Sequence, residues 1–284
     1  MPSAISHQPP SLLQPPTVWR MERSRVWTSP LRVLPDFLIL GAQKAGTSSL
    51  HDYLTQHPKV KPALAKEIHF LDYNYARGEA WYRAHFPTRM EKWRGDFLLT
   101  GEGSPYYLFY PHAARRAKHL VPHAQLLVLL RNPVERAYSH YQHQVRLGLE
   151  ELSFEQAIEN EAARLVGEFE KIILDDEYYS FNFQNYSYLA RGMYADQLER
   201  WFKQFPRAQF LILASEAFYQ NTAHEFERVL DFLHLSRWQP QTFAVRNEGK
   251  YEPMNAGMRA QLVEFFAPHN ARLYELLNVD FEWK

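Results

Sequence analysis

Four short apolar runs, spread over most of the chain, constrain its fold more than any other feature of the sequence. Each run has the length of a buried strand, and each is followed by a turn signal and then by a stretch of helical periodicity. The runs are DFLIL from Asp36, DFLLTGE from Asp96, AQLLVLLR from Ala124 and QFLILASE from Gln209. Strands that alternate with helices in this way predict an α/β fold, with a central, mainly parallel sheet flanked by helices.

Helical periodicity marks the connections between these runs and the end of the chain. The predicted helices are 48–57, 112–120, 134–147, 154–164, 193–205, 222–233 and 258–277. Residues 171–193 are aromatic and polar without a clean period, and we expect them to form a long excursion near the mouth of a site. No composition shift marks a second domain, so residues 35–284 are predicted to be one domain behind a flexible, proline-containing leader, residues 1–34.

Composition excludes several classes of function. The chain has 284 residues, with 32 basic and 32 acidic side chains, so it lacks the global positive field of a nucleic-acid binder, and no nucleic-acid partner is expected. Without cysteine there are no disulfides, zinc thiolates or thiol nucleophiles, and no histidine pair at i, i+4 comes with a carboxylate that would complete a zinc site, so no metal is expected. No apolar run approaches the ~18 residues of a membrane span. Neutral charge and absent cysteine favour a cytoplasmic location, and the oligomeric state stays open.

The stretch FLILGAQKAGTSSLHDYL, residues 37–54, has the form of a strand, a glycine-containing turn and a helix N-terminus. Gly41 and Gly46 have the separation of a nucleotide triphosphate loop, but Thr47 stands where that loop has its lysine, and the lysine lies earlier, at Lys44. Backbone N–H groups and an ammonium can still bind one phosphate here, without a magnesium triphosphate. A plain strand–turn–helix connection capped by hydroxyls is the alternative.

A second anion signal lies in LLVLLRNPVERAYSHY, after the third apolar run. Arg131 stands at the strand exit, and Ser139 lies about two turns into the helix that follows. An arginine fork with a hydroxyl suits a dianionic phosphate. Together with the first loop, this pair indicates a nucleotide with phosphates at two separate positions.

The order and spacing of five segments resemble the sulfotransferase family, most closely its heparan sulfate branch and bacterial relatives. The segments are GAQKAGTSSLHDYLTQHPKV, KEIHFLDYNYARGEAWYRAHFP, GEGSPYYLFYP, LLVLLRNPVERAYSHYQH and RGMYADQLERWFKQFP, and the resemblance runs from about Pro35 to the C-terminus. The resemblance implies a P-loop-like sulfotransferase fold and a carbohydrate, glycolipid or small-molecule acceptor with a hydroxyl or amine. It also implies the co-substrate 3′-phosphoadenosine 5′-phosphosulfate (PAPS).

The resemblance further implies roles for individual residues. The 5′-phosphosulfate would be bound by the loop Lys44, Ala45, Gly46, Thr47, Ser48 and Ser49, and the 3′-phosphate by Arg131 and Ser139. The late stretch RNEGKYEPM resembles a loop that closes on the 3′-phosphate, which makes Gly249 and Lys250 further candidates. Lys44 would neutralise charge on the leaving oxygen, and Glu67 in KEIHF matches the family's catalytic glutamate.

His69 is the second candidate for the base, since in an extended segment it would share the face of Glu67. In GEGSPYY, Glu102 and Ser104 are candidates either to touch the acceptor or to support Glu67. The sequence differs at Gly103 from the animal heparan sulfate enzymes, which carry a lysine at this position. Two rival hypotheses are a P-loop kinase or NTPase, which the missing lysine after Gly46 disfavours, and a nucleotide-binding protein without catalysis.

Overall fold

The computed structural model describes residues 21–245, 249 and 251–283, and a parallel sheet forms the centre of this part of the chain. Its five strands lie in the order β2-β3-β1-β4-β5, and each neighbouring pair is parallel. The strands are β1 (Phe37–Gly41), β2 (Val60–Pro62), β3 (Leu99–Gly103), β4 (Gln125–Leu130) and β5 (Phe210–Ala214). The predicted α/β fold is therefore confirmed.

Helices of very different length connect and cover these strands in the described part of the chain. They are α1 (Arg23–Trp27), α2 (Thr47–Gln56), α3 (Gly78–Arg83), α4 (Arg89–Trp93), α5 (Ala113–Leu120), α6 (Pro133–Arg146), α7 (Phe154–Leu165), α8 (Glu168–Leu174), α9 (Phe181–Asn185), α10 (Tyr194–Phe202), α11 (Ser215–Gln220), α12 (Thr222–Phe232) and α13 (Ala256–Leu277). The seven helices expected from periodicity are present within a few residues of their predicted ends, whereas α1, α3, α4, α8, α9 and α11 were not predicted.

Burial explains why the apolar runs were informative. Every residue of β1 is buried, as are all residues of β4 except its first, because helices cover both faces of the sheet. β2 was missed: it has only three residues, and its sequence VKP ends in a proline, which suits the edge of a sheet.

The N-terminal region differs in part from the expected leader. Residues 1–20 lie outside the described residues, but α1 is helical and joined to the domain. Arg25 donates hydrogen bonds to the carbonyls of Ala84 and Phe86, and Arg32 donates to Phe86 as well. These bonds fix residues 23–32 against the segment that follows α3.

The strand order locates the crevice in which ligands of such folds bind. From β1 the chain first builds β2 and β3 on one side, and then crosses to β4 and β5 on the other. Ligands of open parallel sheets bind beyond the carboxyl ends of the strands, at the point where the order reverses. Here that point lies between β1 and β4, so the loops after these strands meet there.

Candidate active site

A large cleft of about 1220 Å³ opens at the carboxyl edge of the sheet. Common ligand pockets measure roughly 300–1,000 Å³, so this cleft has room for a nucleotide and part of a second ligand. Most of the predicted site residues line it: Lys44, Gly46, Thr47, Ser48, Glu67, His69, Arg131, Ser139 and Gly249. Lys250 lies outside the described residues.

The loop after β1 forms the floor of the cleft. Gly46 has a φ of +96°, which favours glycine, and a Cβ there would lie 2.6 Å from the hydroxyl oxygen of Tyr219, so a side chain at this position would displace that ring. Thr47 begins α2, whose first N–H groups have no partner within the helix and favour an anion.

Two predicted loop residues lie beneath this floor. Ala45 and Ser49 have no exposed surface. Ala45 donates its N–H to the carbonyl of Ala42, and the hydroxyl of Ser49 lies 3.2 Å from that of Tyr219. These residues shape the loop, and neither of them is among the residues that line the cleft.

Positively charged side chains lie close together where the loops after β1 and β4 meet. Arg131 donates a hydrogen bond of 3.0 Å to the carbonyl of Lys44, which ties the two loops together. Burial, followed by the charges of Arg146 and Arg131, lowers the pKa of Lys44 to about 8. Ser139 lines the same cleft from α6. Lys44 and Arg131 thus place two cations in one cleft, an arrangement that suits an anion.

A segment of residues 66–72, which follows β2, carries the predicted acid and base groups. Glu67 and His69 have φ values of +59° and +53°, so the extended conformation expected for this segment is wrong. The reason is that their backbone N–H groups form hydrogen bonds at the end of β3. The N–H of Glu67 donates to the carbonyl of Gly103, and the N–H of His69 donates to the hydroxyl of Ser104. Both side chains nevertheless reach the cleft, with Glu67 Oε2 and His69 Nε2 3.7 Å apart.

The charges in this segment alternate. His69 Nδ1 lies 2.7 Å from Asp72 Oδ2. Burial alone would lower the pKa of His69, but the charge and hydrogen bond of Asp72, together with Glu67, raise it to about 10. Burial alone would raise the pKa of Glu67, but its contacts with His69 and Lys66 lower it to about 2. At neutral pH the histidine is therefore an imidazolium and the glutamate an ionised proton acceptor.

Glu102 forms a buried hub beneath the 66–72 segment. It accepts hydrogen bonds of 2.7–2.8 Å from the hydroxyls of Tyr82, Ser104 and Tyr107. The hydroxyl of Tyr107 accepts the N–H of Phe70 at 2.8 Å. Glu102 and Ser104 have no exposed surface, so the geometry favours the support role considered for them over contact with an acceptor.

Several residues of the cleft were missed in the sequence. The ammonium of Lys66 lies 2.5 Å from Ser48 Oγ and 2.9 Å from Glu67 Oε1. Arg191 is buried and donates to the side chain of Gln43, which joins the loop after β1 to the region beyond α9. Lysine next to glutamate in KEIHF was a usable signal for Lys66, but no local pattern links Arg191 with a residue 148 positions away.

Among the described residues, no group of histidine and carboxylate side chains has an arrangement that could hold a metal ion. In the same part of the chain, no helix is both long and apolar enough to span a bilayer.

The chain belongs to the sulfotransferase family. The model of the sulfotransferase domain matches residues 34–250, which contain the loops after β1 and β4 and the 66–72 segment. The chain is therefore a sulfotransferase, as the sequence motifs predicted, and the kinase or NTPase alternative is not the family that matches.

Individual relatives identify the branch. The chain is 30% identical over 277 residues to human heparan sulfate glucosamine 3-O-sulfotransferase 6, covering 89% of this chain and 74% of that protein. It is 27% identical over 321 residues to the membrane-associated sulfotransferase kil1 of Dictyostelium discoideum, covering 89% and 67%. The crystal structure of a sulfotransferase from Alicyclobacillus acidocaldarius superposes with a TM-score of 0.67 at 32% identity, covering 88% and 98%. The predicted likeness to the heparan sulfate branch and to bacterial relatives is confirmed.

Proposed function

We propose that this sulfotransferase uses PAPS as donor and transfers its sulfuryl group to a hydroxyl or amine, with Glu67 as the base. The observation that carries the proposal is the position of an ionised Glu67 in the same cleft as Lys44 and the N-terminus of α2. A proton acceptor thus stands beside an anion site.

The residues of the cleft fit such a donor. Gly46, Thr47 and Ser48 line the cleft at the N-terminus of α2, and Lys44 adds a cation beside them. We assign the 5′-phosphosulfate to Lys44, the loop from Ala45 to Ser49 and the helix N-terminus. We assign the 3′-phosphate to Arg131 and Ser139, with Gly249 and Lys250 as further candidates.

When bound, PAPS supplies a sulfuryl group whose bond to the acceptor atom forms as its S–O bond to the 5′-phosphate breaks, which leaves 3′-phosphoadenosine 5′-phosphate (PAP). Glu67 takes the proton of the acceptor as that bond forms. Lys44 neutralises the charge that appears on the bridging oxygen. His69, held by Asp72, orients Glu67 through its second nitrogen and, as an imidazolium, does not act as the base itself.

We further propose a carbohydrate acceptor. The cleft wall beyond Glu67 combines aromatic rings with amides, a mixture that suits the faces and hydroxyls of sugars. The residues concerned are Tyr73, Asn74, Tyr106, Gln184 and Asn185. A heparan sulfate sulfotransferase among the relatives supports this class of acceptor. The cytoplasmic location stays a prediction, and kil1 is named as membrane-associated.

The test measures nucleotide binding and sulfuryl transfer on the same variants. We expect PAP, but not magnesium ATP, to raise the melting temperature of the wild type. With [³⁵S]PAPS and a panel of heparan-type oligosaccharides, Glu67→Gln should lower kcat by roughly 10²–10⁴-fold while PAP binding stays within a factor of about three. Lys44→Ala should lower kcat and also weaken the binding of PAP.

Glu79→Gln is the matched control, because Glu79 is an exposed carboxylate paired with Arg83 on α3, and it should keep wild-type activity. Transfer that persists in Glu67→Gln would remove this residue as the base. A shift with magnesium ATP alone would restore the kinase hypothesis.

A further inference from the structure

The ammonium of Lys66 lies between the two halves of the proposed reaction centre. On one side it contacts the hydroxyl of Ser48, in the first turn of α2, and on the other the carboxylate of Glu67. Ser48 belongs to the loop assigned to the phosphosulfate, and Glu67 is the assigned base. In the proposed function, the sulfuryl group moves from the donor bound by this loop to an acceptor beside Glu67.

We propose that Lys66 is a second catalytic cation, which binds the oxygens of the sulfuryl group during transfer and holds the carboxylate of Glu67 towards the acceptor. This inference rests on the proposed function and deepens it. The two lysines then have different tasks: Lys44 neutralises the bridging oxygen of the leaving nucleotide, and Lys66 binds the sulfuryl group that is transferred.

The donor capacity of the ammonium supports this role. A lysine ammonium carries three N–H donors. Among the described residues, Ser48 and Glu67 engage two of them, which leaves one for an oxygen of the sulfuryl group. The sulfuryl group keeps its three oxygens throughout the transfer, so this contact would persist while the S–O bonds exchange.

The position of Lys66 differs from that of an ordinary surface lysine. Its side chain is 27% exposed and lines the cleft, whereas Lys61, five residues earlier on β2, is 43% exposed and pairs with Glu91 away from the cleft. An exposed ion pair contributes little to stability, typically ~0–1 kcal/mol. Lys66 instead joins two segments that both belong to the site.

The proposal also concerns the protonation of Glu67. The charge of Lys66 is one of the causes that hold the pKa of this carboxyl low, together with its contact to His69. The other ionisable groups that face the carboxylate are Lys44 from the loop after β1, His51 from α2, His143 from α6 and Tyr73 after the 66–72 segment. Removal of the Lys66 charge should therefore raise the pKa of Glu67.

The test compares Lys66→Met with Lys66→Arg and with the control Lys59→Met. Lys59 lies just before β2, and its exposed side chain contacts only the carbonyl of Gly95 among the described residues. Titration calorimetry measures the binding of PAPS and of PAP to each variant in the absence of acceptor. Lys66→Met should weaken PAPS by roughly tenfold, the equivalent of one charge-assisted hydrogen bond, and PAP by less than about threefold, because PAP lacks the sulfuryl group.

The pH dependence of kcat/KM supplies the second readout. Activity requires ionised Glu67, so the acid limb of the kcat/KM profile should move to higher pH in Lys66→Met. In Lys66→Arg this limb should return towards the wild-type position. Lys59→Met should match the wild type in both measurements.

The outcomes separate this inference from the proposed function. If the wild type binds both nucleotides but Lys66→Met binds PAPS as tightly as the wild type, or loses PAPS and PAP equally, the role of Lys66 is refuted and the proposed function stands. If the wild type binds neither nucleotide, the proposed function fails, and the role of Lys66 fails with it.

Discussion

Tyr107→Phe tests whether the buried hub around Glu102 positions the reactive segment. The substitution removes one hydroxyl and leaves the ring in place. That hydroxyl accepts the N–H of Phe70 and donates to Glu102, both at 2.8 Å, and Tyr107 has no exposed surface. No water can therefore replace the lost partner without a rearrangement of the core.

The expected magnitude follows from the two broken bonds. A buried N–H without a partner costs about 1–3 kcal/mol, and the loss of one of three donors to Glu102 costs about 1 kcal/mol. Tyr107→Phe should thus lower the free energy of unfolding by about 2–4 kcal/mol. For a chain of this size 1 kcal/mol corresponds to roughly 2 °C, so the melting temperature should fall by roughly 4–8 °C. We expect kcat to fall as well, because Phe70 anchors the segment that carries Glu67.

Thermal unfolding by calorimetry and kcat on the same preparations check this prediction. Tyr75→Phe is the matched control: its ring lies 4.4 Å from the Arg116 guanidinium, and its hydroxyl forms no hydrogen bond with the residues that the structure describes. It should unfold within about 1 °C of the wild type. A melting temperature of Tyr107→Phe equal to that of the control would refute the positioning role of the hub.

Two further predictions concern the donor loop. The pKa of Lys44 in the free protein is lowered to about 8, so its ammonium is present below that pH and lost above it. The Kd of PAP should therefore rise by up to about tenfold per pH unit above pH 8. A Kd that stays constant from pH 7 to 10 would contradict this prediction. Gly46→Ala should weaken PAP by more than about tenfold, since its Cβ would meet Tyr219 at 2.6 Å. Gly78→Ala, which shares the positive φ but has no atom within 4 Å of its Cβ, should lose stability and keep PAP binding.

Buried strands and the loops that follow them could be predicted because their signals are local. An apolar run between turn residues identified β1, β3, β4 and β5, and the strand order then brought Lys44 and Arg131 to one cleft. β2 escaped because three edge residues with a proline and a lysine give no periodic signal.

The contacts inside the site could not be predicted in the same way. Glu67 and His69 were expected to share a face of an extended segment, but the carbonyl of Gly103 and the hydroxyl of Ser104 bind their N–H groups and change the backbone. Such partners lie more than thirty positions apart in sequence. Lys66 was visible as a neighbour of Glu67, yet its second contact, with the loop after β1, depends on tertiary packing.

Three residues of the site, Lys44, Glu67 and His69, have left-handed backbones, with φ of +70°, +59° and +53°. For residues with a Cβ this conformation costs roughly 1–2 kcal/mol each, and glycine would adopt it more easily. A search for thermostable variants that scores folding alone would therefore favour glycine at these three positions, and each such choice would remove a functional side chain. Engineering of this enzyme for stability should hold these positions constant and look for gains elsewhere in the chain.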